Sequence, residues 1–474
     1  MIDKKIFRQY DIRGIFPDNF NKETIKQITN TFAYQLIKKV KKENPTVTIG
    51  RDVRLSSDEL FEGAKEGLLD AGVNVIDLGR CPTPVTYFSA FHLNSDGFIM
   101  ITGSHNPPEY NGMKFGIGKE TYHSELITSI YDDIIKYGYR KSANKGNFSS
   151  YDIVSTYIEW MNNHFSELKE KISKLQRKIK IVIDAGNGVA SKVAPKIFKN
   201  LGVEVVELYC EEDGTFPNHH PDPTVEENLV DLINTVKTEK ADFGIGYDGD
   251  ADRIGVVDEK GSIIWGDMLL IIYAKELKKY YSKPKVIADV KASQVLFDYL
   301  EEIGAEPIMW KTGHSLIKDK LKETNAELAG EMSGHIFFND KYFGYDDAIY
   351  SSVRFLEAYV NRLIDNEIKV CSDLLKDIPK VYNTPEIRFD CPEEKKFEIV
   401  NKLTELFKQY KNEGKYGIKN IIDTDGIRVV FDEGWGLLRA SNTQPVLVMR
   451  FEAATKEKML EYQKIIESEL NKLI

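Results

Sequence analysis

The segment Tyr247–Val257 reads YDGDADRIGVV and sets Asp248, Asp250 and Asp252 at alternate positions, with Arg253 directly after them. Three carboxylates this close repel one another unless a cation sits among them or some keep their protons. All-oxygen ligation suits a hard divalent ion, and Mg2+ takes few carboxylates while leaving positions open for water or phosphate. A calcium EF-hand is a poor match. Glu259 falls at its twelfth position, but Arg253 stands where that loop needs glycine and the flanking runs are strand-like. An aspartate nucleophile in a D-x-D motif is a better rival, because an apolar strand precedes it. The plain alternative is a solvated acidic turn.

A metal with open positions calls for a phosphate elsewhere in the chain. In TGSHNPPEYNGMK, Ser104 stands next to His105 in a loop rich in glycine and proline. Its hydroxyl suits a phosphoryl group, whose anionic oxygens would complete a metal's coordination, and Lys114 is placed to offset charge or move a proton. Taken alone, Ser-His-Asn-Pro is an ordinary turn. GEMSGH supplies Glu331, Ser333 and His335, a carboxylate and a hydroxyl suited to paired sugar hydroxyls with an imidazole beside them. Lys291 follows an apolar run, and His314 lies in KTGHS. In RASNTQP, Arg439, Ser441, Asn442 and Thr443 form a compact donor cluster fit for a phosphate dianion.

Positioning these loops falls to an internal triplication. The stretches beginning TVTIGRDVRLSS at Thr46, IKIVIDAGNGVAS at Ile179 and PKVIADVKASQ at Pro284 each read as strand, polar turn, helix and strand. Each has a serine at a plausible N-cap (Ser56 or Ser57, Ser191, Ser293) and a glycine that stops the helix (Gly72, Gly202, Gly304). A βαβ unit is predicted in every copy. Downstream, each copy has a further apolar strand that ends in one of the loops above, and loops at the carboxyl ends of such strands are where α/β sheets bind ligands. The tail breaks the pattern and reads as a smaller α+β domain. The expected domains are 1–150, 151–260, 261–375 and 376–474, with hinges near Arg140 and Lys380.

The totals agree with several domains. The chain has 474 residues, 42% hydrophobic and 29% charged, and a prior of about 150 residues per domain gives three or four. A net charge of -10 argues against a nucleic-acid surface or an anionic membrane as partner. The four cysteines, Cys81, Cys210, Cys371 and Cys391, lie far apart, which indicates neither zinc nor a disulfide framework. The N-terminus lacks an apolar signal core and MLLIIYA is too short to span a bilayer, so a soluble, cytoplasmic protein is expected.

Taken in order, YDIRG, TGSHNPPEYNGMK, DGDADR, GEMSGH and RASNTQP resemble the α-D-phosphohexomutases, specifically the phosphomannomutase/phosphoglucomutase branch. The resemblance covers nearly the whole chain. It implies three topologically similar α/β domains with mixed sheets and a C-terminal α+β domain around a central cleft. It further implies a phosphorylated Ser104, with Ser104, Asp248, Asp250 and Asp252 about Mg2+ and with hexose 1,6-bisphosphate as activator. Arg253 would assist at the phosphate, His105 beside Ser104 counts among the catalytic residues, and Lys114 and His314 match positions of proton transfer. Tyr10, Arg13, Lys291, Glu331, Ser333 and His335 match substrate contacts, and Arg439, Ser441, Asn442 and Thr443 the distal phosphate clamp. The partner implied is a small phosphosugar. Met332 resembles the dual-specificity branch that handles mannose and glucose. The alternatives carried are a phosphoglucosamine mutase, an aspartyl-phosphate phosphotransferase, and a sugar-phosphate sensor without turnover.

Overall fold

A computed structural model describes residues 2–441 and 445–473. The chain divides into two compact units, Met1–Tyr273 with Ser333–Leu374, and Ala274–Met332 with Leu375–Ile474. The first holds the first two copies of the repeat, and the second holds the βαβ core of the third copy with the C-terminal domain.

All three copies fold alike. In each, a central strand lies parallel to both the strand after its helix and the strand that leads into the functional loop. In the first copy Thr46–Arg51 pairs with Asn74–Arg80 and Gly97–Ile101. In the second Lys180–Asp184 pairs with Glu204–Leu208 and Phe243–Tyr247. In the third Lys285–Asp289 pairs with Glu306–Trp310 and Leu328–Gly330. In the first two copies an antiparallel strand follows, Tyr110–Ile117 and Ile254–Asp258, so these sheets are mixed. Parallel strands are covered on both faces, which is why the central ones are near-continuous apolar runs such as Ile181, Val182 and Ile183, all fully buried.

The helix ends show the repeat at atomic detail. Gly72, Gly202 and Gly304 have φ of +88°, +94° and +73°, the left-handed region where a Cβ is costly. The N–H of the next residue reaches back each time in the same way, Val73 to Leu68, Val203 to Phe198 and Ala305 to Leu300. This is one helix stop used three times. The helix starts differ. Ser293 caps Gln294–Glu302 by accepting from Val295 N–H, whereas Ser56 makes no side-chain cap and accepts instead from Asn111 Nδ2 at 2.8 Å. Ser191 is not a cap, because it lies in a 3-10 turn, donates to the Gly188 carbonyl, and precedes a helix that begins at Ala194.

The C-terminal domain is an antiparallel sheet with Gly434–Ala440 and Val446–Ala453 at its centre. Two helices, Lys396–Asn412 and Lys456–Leu470, share its core through Leu403, Phe407, Ile466 and Leu470. It is fastened to the third copy by Arg428, fully buried, which donates to the carbonyls of Val290 at 2.7 Å and Ala292 at 2.8 Å while stacking on Trp435. The expected hinge at Arg140 is instead anchored within the first domain, since Asn30 bonds both its N–H and its carbonyl. Among the described residues no helix is long and apolar enough to cross a membrane.

Candidate active site

In the first unit, the loop after Gly97–Ile101 carries Ser104 in the left-handed region with φ +51°. Such a conformation persists only where the surroundings over-determine it. Arg54, 1% exposed, does this from beneath. Its guanidinium donates to the carbonyls of Ser104 at 2.8 Å, Asn106 at 2.5 Å, Pro107 at 2.5 Å and Tyr110 at 2.9 Å. Asp52 pairs with Arg54 and also accepts from Gly103 N–H at 3.0 Å. A Cβ on Gly103 would lie 2.4 Å from the guanidinium, so this approach requires glycine. Arg13 steadies the outer side of the loop, donating to Asn106 Oδ1 at 2.9 Å, with Asp11 as its ion partner. Tyr10 lies half-buried three residues before Arg13.

The second copy's loop brings Asp248, Asp250 and Asp252, each 0% exposed, to within 4.8 Å of one another by their ligand atoms. Asp248 Oδ1 accepts from the N–H groups of Asp252 and Arg253, and Oδ2 accepts from Ser104 Oγ at 3.1 Å. His105 Nδ1 lies 3.1 Å from the same Oγ. The two loops touch along their backbones, since a Cβ on Gly249 would meet the Ser104 carbonyl at 2.6 Å. Asp250 Oδ2 accepts from Thr83 Oγ1 at 2.6 Å and from Lys114 Nζ at 2.8 Å, and Lys114 also pairs with Asp252. His335 Nε2 stands 3.3 Å from both Arg253 Nε and Asp252 Oδ1, and Ser333 Oγ lies 3.4 Å from His335 Nδ1.

Electrostatics sort these groups into roles. Burial alone would discharge Lys114, but Asp250 and Asp252 overcome it and keep an ammonium there. Burial and the other two carboxylates push Asp248 well above the usual carboxylate range. Burial also raises Asp250 and Asp252, yet Lys114 outweighs it and both stay low, Asp252 with help from His335 and Arg253. Burial, with Arg253 and Arg13, holds His105 well below its ordinary value, so its imidazole is neutral. Asp250 Oδ1 is buried and has no hydrogen-bond partner among the described residues. An orphaned carboxylate oxygen in a cage of three carboxylates fits a hard divalent cation.

The second unit gathers the remaining residues. Lys291, after Lys285–Asp289, donates to Glu386 Oε1 at 2.7 Å and lies 3.8 Å from Asp289 Oδ2. Burial opposes its charge, but Glu386 and Asp289 raise it, and Lys291 in turn holds Glu386 down at about 2. Glu331 accepts from Gly313 N–H at 2.6 Å, which joins the GEMSGH and KTGHS loops, and His314 begins the helix His314–Thr324. Arg439 Nε pairs with Asp425 Oδ2 at 3.0 Å, and that oxygen also accepts from Thr312 N–H at 3.0 Å. The Ser441 carbonyl accepts from Lys396 at 2.5 Å. Asn442 and Thr443 lie outside the described residues. Glu331 falls in the second unit and Ser333 in the first, so GEMSGH is one of the places where the chain passes between units.

Sequence reasoning missed Arg54, Asp52, Thr83, Glu386 and Asp425. Arg54 was signalled weakly by RDVR at the carboxyl end of the first copy's central strand, the position from which ligand loops spring.

Four family descriptions match the chain in order: phosphoglucomutase/phosphomannomutase alpha/beta/alpha domain I over residues 4–141, domain II over 155–261, domain III over 265–382 and the C-terminal domain over 386–468. The chain belongs to the phosphoglucomutase/phosphomannomutase family. A relative from Pseudomonas aeruginosa named phosphomannomutase/phosphoglucomutase is 42% identical over 465 residues, 98% of this chain and 95% of its own. A phosphoglucomutase from Neisseria gonorrhoeae is 42% identical over 455 residues, 96% of this chain and 94% of its own. The crystal structure of a Burkholderia thailandensis member, 38% identical, superposes with a TM-score of 0.87 and covers 99% of this chain and 98% of its own. The relatives are mutases, and the acidic cage beside Ser104 offers the oxygen ligands that a divalent cation takes.

Proposed function

We propose that this member of the family is a phosphohexomutase that interconverts the 1- and 6-phosphates of mannose and glucose through a phosphorylated Ser104 and a hexose 1,6-bisphosphate intermediate. The observation that carries the reading is Ser104 Oγ, 3.1 Å from Asp248 Oδ2 on the rim of a fully buried triad of carboxylates. Asp248, Asp250, Asp252 and the phosphorylated serine would hold Mg2+, which neutralises charge on the transferring group.

In the first half-reaction the bond from phosphorus to Ser104 Oγ breaks as a bond to the free C1 or C6 hydroxyl oxygen of a hexose monophosphate forms. That hydroxyl gives its proton to a base, and the departing Ser104 Oγ takes one up to become a free hydroxyl. The bisphosphate turns end over end, and its other phosphoryl group returns to Ser104. This chemistry needs alignment and charge balance more than covalent help. Arg54 fixes the serine loop, Lys114 stays an ammonium and offsets charge, and Arg253 assists at the phosphate. Because Lys114 keeps its proton, proton movement is assigned to His314, with neutral His105 beside Ser104 Oγ. Tyr10, Arg13, Lys291, Glu331, Ser333 and His335 are assigned to the substrate, and Arg439, Ser441, Asn442 and Thr443 to its distal phosphate. The reading places the protein in the cytoplasm, with phosphosugars as partners and hexose 1,6-bisphosphate as activator.

If Glu331 and Ser333 contact the 3- and 4-hydroxyls, which exchange places when the ring turns over, C2 goes largely unread. An unread position discriminates weakly, so mannose and glucose phosphates should differ in kcat/KM by less than about a hundredfold. Assays of mannose, glucose, glucosamine and N-acetylglucosamine phosphates side by side, with Mg2+ and glucose 1,6-bisphosphate, test this. Turnover of both hexoses with poor use of amino sugars is expected. A higher efficiency with glucosamine 6-phosphate than with either hexose would overturn the assignment.

A further inference from the structure

Two cations of the second unit, Lys291 and Arg439, are assigned above to the substrate, and each already holds a carboxylate. The two carboxylates are built differently. Asp425, on Arg439, is also fixed by Thr312 N–H, so it belongs to the scaffold. Among the described residues the Glu386 side chain meets only cations, Lys291 at 2.7 Å and Arg388 at 3.9 Å, with Arg439 near enough to act on its charge. Its side chain is 27% exposed, against 8% for Lys291, so an anion from solvent reaches the buried ammonium by taking the place of Glu386. The displaced carboxylate has somewhere to go, because the Arg388 side chain is 60% exposed and already within 3.9 Å.

We propose that Glu386 is an internal competitor for the substrate's phosphate, a carboxylate that occupies Lys291 in the free enzyme and returns to it when the phosphate leaves. The proposal rests on the reading that Lys291 and Arg439 grip the substrate. A mutase of this kind must hold one phosphate, release it, and hold the other end of the same molecule. Grip that is equal in the ground and transition states lowers KM without raising kcat, and a clamp without a competitor would retain the bisphosphate in one orientation. A competing anion lowers apparent affinity by the fraction of enzyme in which it occupies the cation. Low pKa and a charged partner keep Glu386 ionised and competent for this at every working pH.

The test is calorimetric titration of glucose 6-phosphate into the full chain carrying Ser104→Ala to block turnover, with Glu386→Gln, Glu386→Asp and Arg439→Gln added singly. Glu386→Gln should tighten Kd by about tenfold, within the usual span of coupling between competing ligands. With Ser104 intact, the same substitution should lower KM with no rise in kcat. Arg439→Gln should weaken binding. A scaffolding role predicts the opposite sign for Glu386, since removing one partner leaves Lys291 buried and disordered. Weaker or unchanged binding in Glu386→Gln, with weaker binding in Arg439→Gln, overturns the proposal and leaves the reading of the site intact. Unchanged binding in Arg439→Gln overturns both. If Glu386→Gln fails to fold, Glu386→Asp keeps the charge but draws it back from Lys291 and must also tighten binding, and weaker binding there overturns the proposal.

Discussion

The two polar regions of this chain handle buried charge in opposite ways. Around Ser104 the charges are enclosed: Asp248, Asp250 and Asp252 are fully buried, Lys114 is 4% exposed, Asp248 accepts from backbone N–H groups, and Asp250 accepts from Thr83 as well as from Lys114. Around Lys291 the ammonium is buried, but its partner Glu386 is half-buried and, among the described residues, its side chain is held by no backbone N–H. A region that performs charge transfer at one atom gains from preorganisation, because donors already in place need no rearrangement during the reaction. A region that must take hold of either end of a ligand gains from exchangeable contacts. The comparison therefore predicts that substitutions in the first region fall on kcat and those in the second on KM.

The largest break should come from the carboxylate cage. Asp250→Asn removes the negative charge of a carboxylate whose buried Oδ1 has no hydrogen-bond partner among the described residues and should lower kcat by about 10² to 10³, the scale for loss of one preorganised electrostatic group. Thorough chelation should abolish turnover of the wild-type chain, and restoring Mg2+ should recover it. Full activity after chelation would remove the metal from the account.

Arg54→Met tests whether the serine loop is held for chemistry or only for stability. Four carbonyls lose their donor, Ser104 leaves its left-handed conformation, and a shift of about 1 Å at a reacting group costs about a hundredfold. The loss should appear in kcat with KM little changed, and Arg54→Lys should recover part of it. A rise in KM alone would erase the distinction between the regions.

A smaller effect is expected at Asp347, which caps the helix Ala348–Ile364 and accepts from Tyr157 and Tyr342 within the first unit. Burial pushes it from 3.8 up to about 6, so the native state favours its protonated form. The stability this contributes is fully present below pH 4 and is lost as pH rises through 6. The span of about two pKa units is worth about 3 kcal/mol. Asp347→Asn stays neutral, so its thermal midpoint relative to wild type should climb between pH 4 and pH 6 and then level off. A constant difference across that range would show that Asp347 is ionised throughout.

Much of the fold was legible because local signals repeat. Gly72, Gly202 and Gly304 mark the same helix stop, and the parallel strands between them are plain apolar runs. Ser191 misled because a 3-10 turn with its own bond to Gly188 precedes that helix, and serine suits both contexts. Arg140 looked like a hinge from its polar neighbours, yet Asn30, more than a hundred residues earlier, accepts from its N–H and donates to its carbonyl. The same distance problem hid Arg54 and Glu386. Their meaning lies in contacts 50 residues away to Ser104 and 95 residues away to Lys291, which no spacing within a motif records. Lys114 was read as a group that offsets charge or moves a proton, and the pairing with Asp250 and Asp252 that favours the first lies 136 and 138 residues away in sequence.

The central claim is that Ser104 carries the phosphoryl group. Incubating the purified chain with glucose 1,6-bisphosphate and Mg2+, then mapping its peptides by mass spectrometry after acid treatment, tests this directly. The account predicts an acid-stable phosphate on the peptide that contains Ser104, absent from Ser104→Ala. Phosphate found only as an acid-labile acyl group on Asp248, or unchanged labelling and turnover in Ser104→Ala, would contradict it.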